Sequence, residues 1–217
     1  MLTKNRLIIA ILGVCIILSI ASTYAAFTLY QENKNYEKAI SSEIATTLNT
    51  LLSAIMDNEE IFDKIIDGGK VKLSPDQASN MCYNFETMSV ESQNLFTMAT
   101  DLNKYDSLMN NTTANMAQDI HFFLARLVIG NGLLGDCSLA TADISLDEEK
   151  TNKLIQISDI STQLAGIVRN RVPEAASKGD TGADWNNIVN DKIWVELIKD
   201  LSVYANDSGW IINQFFN

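Results

Sequence analysis

Three cysteines and a single histidine are the residues of this 217-residue chain best suited to chemistry. Cys15 lies inside an uncharged apolar run and reads as a small apolar filler. Cys82 and Cys137 fall in the part of the chain placed outside the membrane below, where disulfides persist. Cys82 stands near the start of one expected helix and Cys137 just past the end of the next. They meet only if that shorter helix returns alongside and residues 132–137 bridge the difference. A disulfide between them is expected, the alternative being two free thiols in a cytosol-facing or reducing setting. Closing that loop is worth about 4 kcal/mol on the chain-entropy argument. Two thiols alone cannot complete a structural zinc site, and nothing in the spacing brings His121 to help. No metal and no cofactor are expected.

His121 would need a positioned acidic or nucleophilic partner to act as a general base. Asp119, two residues earlier, points to another helix face, so His121 reads as a partly buried helix residue. Arg126 on the same apolar helix either reaches an acid across the fold or carries its charge to the surface. Asp180, Asp184 and Asn186 place oxygens at relative positions one, five and seven, superficially like a calcium loop. The ligand at three and the bidentate Glu at twelve are missing, so an N-cap with solvated acids is expected instead. The chain has no GxSxG, HExxH, P-loop or dinucleotide fingerprint. No catalytic residues are assigned, and the chain is not expected to be an enzyme. Asn110, Asn111 and Asn206 each head an N-x-S/T pattern and are glycosylation candidates, a short pattern that chance readily produces.

The elements that would position these groups begin with Leu7–Tyr30, 24 residues without a charge. As a helix it reaches about 36 Å, enough to cross a hydrocarbon core of about 30 Å. Tyr24, Phe27 and Tyr30 gather at its far end, where aromatic rings favour the interface. Lys4 and Arg6 precede it, which puts residues 1–6 in the cytoplasm and residues 31–217 outside the cell membrane. Two other readings are weaker. A cleaved signal peptide could use Thr23 and Ala25, but the apolar run continues past them. A lipoprotein site at Cys15 would put bulky Val14 where a small residue belongs. Residues 31–217 carry 14 basic and 27 acidic groups, net −13, which argues against nucleic-acid binding.

No Gly or Pro lies between Gly13 and Gly68, so the membrane helix is expected to run on. Ile44, Leu48, Leu51, Ile55, Phe62 and Ile65 then form an a/d seam with Asn58 as its one polar interruption. Asp67-Gly68-Gly69 is expected to end it. Ser74-Pro75-Asp76-Gln77 opens a second helix carrying Met81, Met88, Leu95, Leu102 and Met109 at seven-residue intervals, with Phe85 and Ala99 beside them. A third covers Ala114 to about Ile129. A fourth opens at the Ser145-Leu146-Asp147-Glu148 capping box and presents Leu154, Ile157, Ile160, Leu164, Ile167 and Val168. Thr181 and Asp184 are expected to cap a fifth, with Trp185, Ile188, Ile193, Leu197, Leu201 and Tyr204 on its buried side. Apolar Trp210–Phe216 should dock on something. The fold class is all-α: a single N-terminal membrane helix continuing into an up-and-down bundle of four to five helices, the first two crossing at about 20°.

An acidic, membrane-tethered helical module without catalytic residues is most simply an accessory or structural subunit. It would bind a protein partner or itself, with the bilayer held through residues 7–30. The layout resembles the four-helix exterior domains that follow the first membrane helix of chemoreceptors. That resemblance implies the alternative, a sensor-like module taking a small ligand between helices, without a signalling part of its own.

Overall fold

The structure, a computed structural model, describes residues 2–67, 70–105, 111–129, 137, 144, 146–173, 185 and 187–208. The expectations resting on Gly68, Gly69, Met109, Asn110, residues 130–136, Ser145, Asp180, Thr181, Asp184, Asn186 and Trp210–Phe216 fall outside them. Among the described residues the regular elements are helices apart from one two-residue ladder.

Helix α1 runs unbroken from Leu2 to Ile65, about 96 Å at the α-helical rise. Its apolar N-terminal part has a mean hydropathy of 2.0 over eighteen residues, and none of that window is buried, so it is long and apolar enough to cross a membrane. Polar side chains there bond back onto their own helix. Ser19 Oγ donates to the Cys15 carbonyl, Thr23 Oγ1 to that of Ser19 and Thr28 Oγ1 to that of Tyr24, at 2.9, 2.9 and 3.0 Å. That satisfies their hydroxyls without water. Gln31 to Ala39 remain exposed all round. Burial then begins abruptly at Ser41, and every residue of the expected seam from Ile44 to Ile65 is buried, Asn58 included. Leu52, Ala54 and Glu59 are buried with them. The covered stripe is therefore wider than the two-in-seven line of a coiled coil, because α1 is flanked by both α2 and α4.

The helix ends at Ile65, two residues before the expected Asp67-Gly68-Gly69 stop. Ile66–Asp67 (β1) and Lys70–Val71 (β2) pair antiparallel, with Ile66 opposite Val71, and the Lys72 amide donates to the Ile65 carbonyl at 2.9 Å. Helix α2, Pro75–Asp101, starts as the sequence predicts. The Gln77 amide donates to Ser74 Oγ and the Ser74 amide to Gln77 Oε1, a complete capping box with Pro75 in the first turn. It stops before Met109, however. Asn103 takes a positive φ of 52°, its amide donates to the Thr100 carbonyl, and the Lys104 amide reaches that of Ala99. This is a Schellman closure with Asn in the left-handed position usually held by Gly. The heptad rhythm past Leu102 therefore belongs to no continuation of α2.

Helix α3, Thr112–Ile129, is buried on most of its sides, with Asn115, Gln118 and Arg126 exposed, and it packs on α2 and α5. Helix α4, Glu148–Arg171, is capped by Asp147, whose Oδ1 accepts from the Lys150 amide at 2.8 Å. Glu148 and Glu149 in its first turn and Arg169 and Arg171 in its last complement the helix dipole. The fifth helix begins later than expected. A single 3-10 turn, Ile188–Asn190, comes first. The chain is extended at Asp191, whose Oδ1 then accepts from the Ile193 amide at 2.9 Å and opens α5, Ile193–Asp207. One core joins all five helices, with Trp194, Phe62 and Phe85 its largest fully buried side chains.

Candidate functional site

Helices α2 and α3 run antiparallel in a register that two contacts define. Ser89 Oγ donates to the Ala114 carbonyl at 3.0 Å. Seven residues back on α2 and seven forward on α3, Cys82 meets His121. Cys82 lies in the second turn of α2, and Cys137 is carried back to it. The two sulfurs form a disulfide, with Cα atoms 5.9 Å apart and a separation of 55 in sequence. Ser79 Oγ, one turn before Cys82, donates to the Cys137 carbonyl and holds that segment to α2 independently of the sulfurs. Both cysteines are completely buried.

His121 is also buried. Its Nδ1 lies 3.5 Å from Cys82 Sγ, 3.8 Å from Cys137 Sγ and 3.2 Å from the Cys82 carbonyl oxygen. A carbonyl only accepts, so that last contact makes Nδ1 the donor. The sequence reading left His121 apart from the cysteines, and the register corrects it. Asp119 and His121 do face different ways, yet both are buried, because α3 is covered on opposite sides. No matched offset announced this meeting, since Cys82 and His121 stand 20 and 10 positions from the two ends of the Leu102–Asn111 connection. The pairing is legible only in the register of α3 against α2. As it stands the cluster is a buried cross-link lined by an imidazole. With the sulfurs reduced it becomes a set of three convergent soft donors.

Other polar groups inside the fold are structural in geometry. Asn58 Nδ2 donates to Met88 Sδ at 3.5 Å, while its Oδ1 has no hydrogen-bond partner. Arg169 of α4 pairs with the nearly buried Glu59 of α1. Arg171 bridges to α5 through Asp200 and Glu196 at 2.5 and 2.8 Å, and the Asp200 partner raises its pKa further. The sequence pattern did not reveal either cross-helix pair, since charged partners so far apart leave no local signature. Arg126 lies at the surface, and Cys15 is exposed on the apolar part of α1. Of the glycosylation candidates, Asn111 is half-buried and caps α3, its Oδ1 accepting from the Ala114 amide and its Nδ2 donating to Gln93. Asn206 is exposed in the last turn of α5.

Two clefts lined by described residues open at the surface. One, about 500 Å³, is lined by Lys104, Tyr105, Asp191, Lys192, Val195, Glu196 and Lys199. The other, about 400 Å³, lies between α1 and α2 around Asp57, Glu60, Lys64 and Tyr83. Comparison with protein-family models, curated proteins and solved structures found no match.

Proposed function

We propose that this chain is an accessory or structural interaction subunit of a membrane or surface assembly. In this reading residues 1–6 are cytoplasmic, 7–30 span the cell membrane and 31–217 form an exterior domain connected as an up-and-down bundle. The observation that carries it is α1 itself, one unbroken helix leading from an uncovered apolar segment into the bundle core. A domain built onto its own membrane helix has a fixed standing on the bilayer, which suits a part that presents surfaces to neighbours. The acidic balance of residues 31–217 favours a protein partner over nucleic acid.

The test is a photo-crosslinking amino acid placed at the exposed positions Tyr36 and Tyr83 in the native membrane. The expected outcome is a discrete adduct of constant mass, either with one other protein or with a second copy of the chain. A ladder of unrelated adducts at both positions would count against the proposal. The second reading, a ligand-binding module, draws on the 500 Å³ cleft, whose three lysines face two acids. It predicts that one small polar compound raises the melting temperature in a saturable way, and that Lys199→Ala removes the effect.

A further inference from the structure

We propose that Cys82, Cys137 and His121 form a reduction-dependent zinc site. Three soft donor atoms lie within 4.8 Å of one another in the buried interior. Zinc takes thiolate sulfur at about 2.3 Å and imidazole nitrogen at about 2.0–2.1 Å, so at tetrahedral angles sulfur and nitrogen sit about 3.6 Å apart. The two observed Sγ–Nδ1 distances, 3.5 and 3.8 Å, bracket that value. Only the two sulfurs must move, from bonding distance to about 3.8 Å. Cys137 stays in place while they do, because its carbonyl is held by Ser79.

The balance is simple. A dithiol reductant supplies two electrons and two protons, breaks the Cys82–Cys137 bond and becomes a disulfide itself. Zn²⁺ then displaces both thiol protons to solvent and forms two zinc–sulfur bonds. The proton on His121 Nδ1 is given up and Nε2 is protonated in its place, which frees the Nδ1 lone pair for the third bond. Two thiolates and one neutral imidazole leave a Zn²⁺ complex with no net charge, as a fully buried site requires. Cu⁺ would leave one negative charge there, and hard cations such as Ca²⁺ or Mg²⁺ prefer oxygen. The set has the two-Cys, one-His composition that leaves a fourth position to water.

The experiment uses the full chain in detergent micelles on a Cys15→Ala background, which removes the one free exposed thiol among the described residues. Protein reduced with a dithiol and then freed of it under argon is titrated with Zn²⁺ against a chromophoric chelator, and in parallel with Co²⁺. The expected result is one equivalent bound by the reduced chain and none by the oxidised chain, with thiolate-to-cobalt charge-transfer absorption. His121→Ala should weaken binding tenfold or more, and the Cys82→Ser/Cys137→Ser pair should abolish it. Far-UV circular dichroism follows the fold throughout. Helix lost on reduction and restored by one equivalent of zinc supports the site, and helix that zinc fails to restore overturns it. So does zinc binding no tighter than in the double-serine variant, or unchanged in His121→Ala.

Discussion

Asn58 shows how one side chain in a long apolar stripe can be read and misread. Its position in the seam is plain from spacing, but whether it faces water or core depends on how far α2 and α4 wrap around α1. It is about 1% exposed, and its carbonyl oxygen meets no donor. Asn58→Leu should therefore raise stability by about 1–2 kcal/mol, as relief of a buried unsatisfied group does, and broaden the oligomers trapped by crosslinking. A lower melting temperature would mean that the amide satisfies something else. Glu59 is the harder case, since its neighbour Arg169 lies 110 residues away. Arg169→Met should destabilise more than Arg169→Met combined with Glu59→Gln, because the single change strands a carboxylate in a site only 11% exposed. A double-mutant cycle by denaturant titration checks this. Burial also pushes the phenols of Tyr105 and Tyr204 above their ordinary value, with Ser202 partly offsetting the first and Asp159 adding to the second. Raised folded values mean that the unfolded chain gives up these protons first. Stability should hold below pH of about 10 and fall as pH climbs from there through the folded values. Tyr105→Phe with Tyr204→Phe should flatten that fall in melting curves taken between pH 8 and 11.

At the scale of the elements, what was legible was whatever local chemistry decides. The Ser74–Gln77 box and the apolar face of α4 rest on neighbours three or four residues apart, the unbroken run of α1 on the lack of Gly and Pro between Gly13 and Gly68, and each appears where the pattern put it. Ser74→Ala should cost about 1 kcal/mol, read as a lower urea midpoint. The ends were less legible. Asn103 closes α2 in a conformation that a heptad pattern cannot register, and the start of α5 after its 3-10 turn is marked by an Asp191 side chain bonding two residues on. Asn103→Gly should leave stability unchanged or slightly higher, whereas Asn103→Val should lower it by roughly 1–2 kcal/mol. The disulfide joining α2 to the segment after α3 was expected from compartment and helix ends together, and its sulfurs do meet. The histidine beside it was not expected, because register is a tertiary fact. On the Cys15→Ala background, Cys82→Ser with Cys137→Ser should cost about 4 kcal/mol under oxidising conditions, the loop-closure value for a separation of this size.

The molecule as a whole is organised by one helix, exposed and apolar towards one end and buried in the core towards the other. If its apolar part is the anchor, protease added to intact cells should remove the region after residue 31, and a protected domain would reverse the orientation. The same continuity sets a phase. From Gln31 to Ala39 the helix is exposed all round and has no Gly or Pro to absorb a turn. The heading of the bundle about the membrane normal is thus counted out residue by residue, about 100° and 1.5 Å for each. Two extra residues in that exposed stretch would swing the domain about 200° while lifting it only about 3 Å. Seven would return it to within about 20° of its first heading but about 10.5 Å higher. A partner that meets the domain from one side would lose the first variant and keep the second if it is itself free to rise. One reached across a fixed gap would lose both. The stalk is in that sense a compass bearing and a height written in the number of its residues.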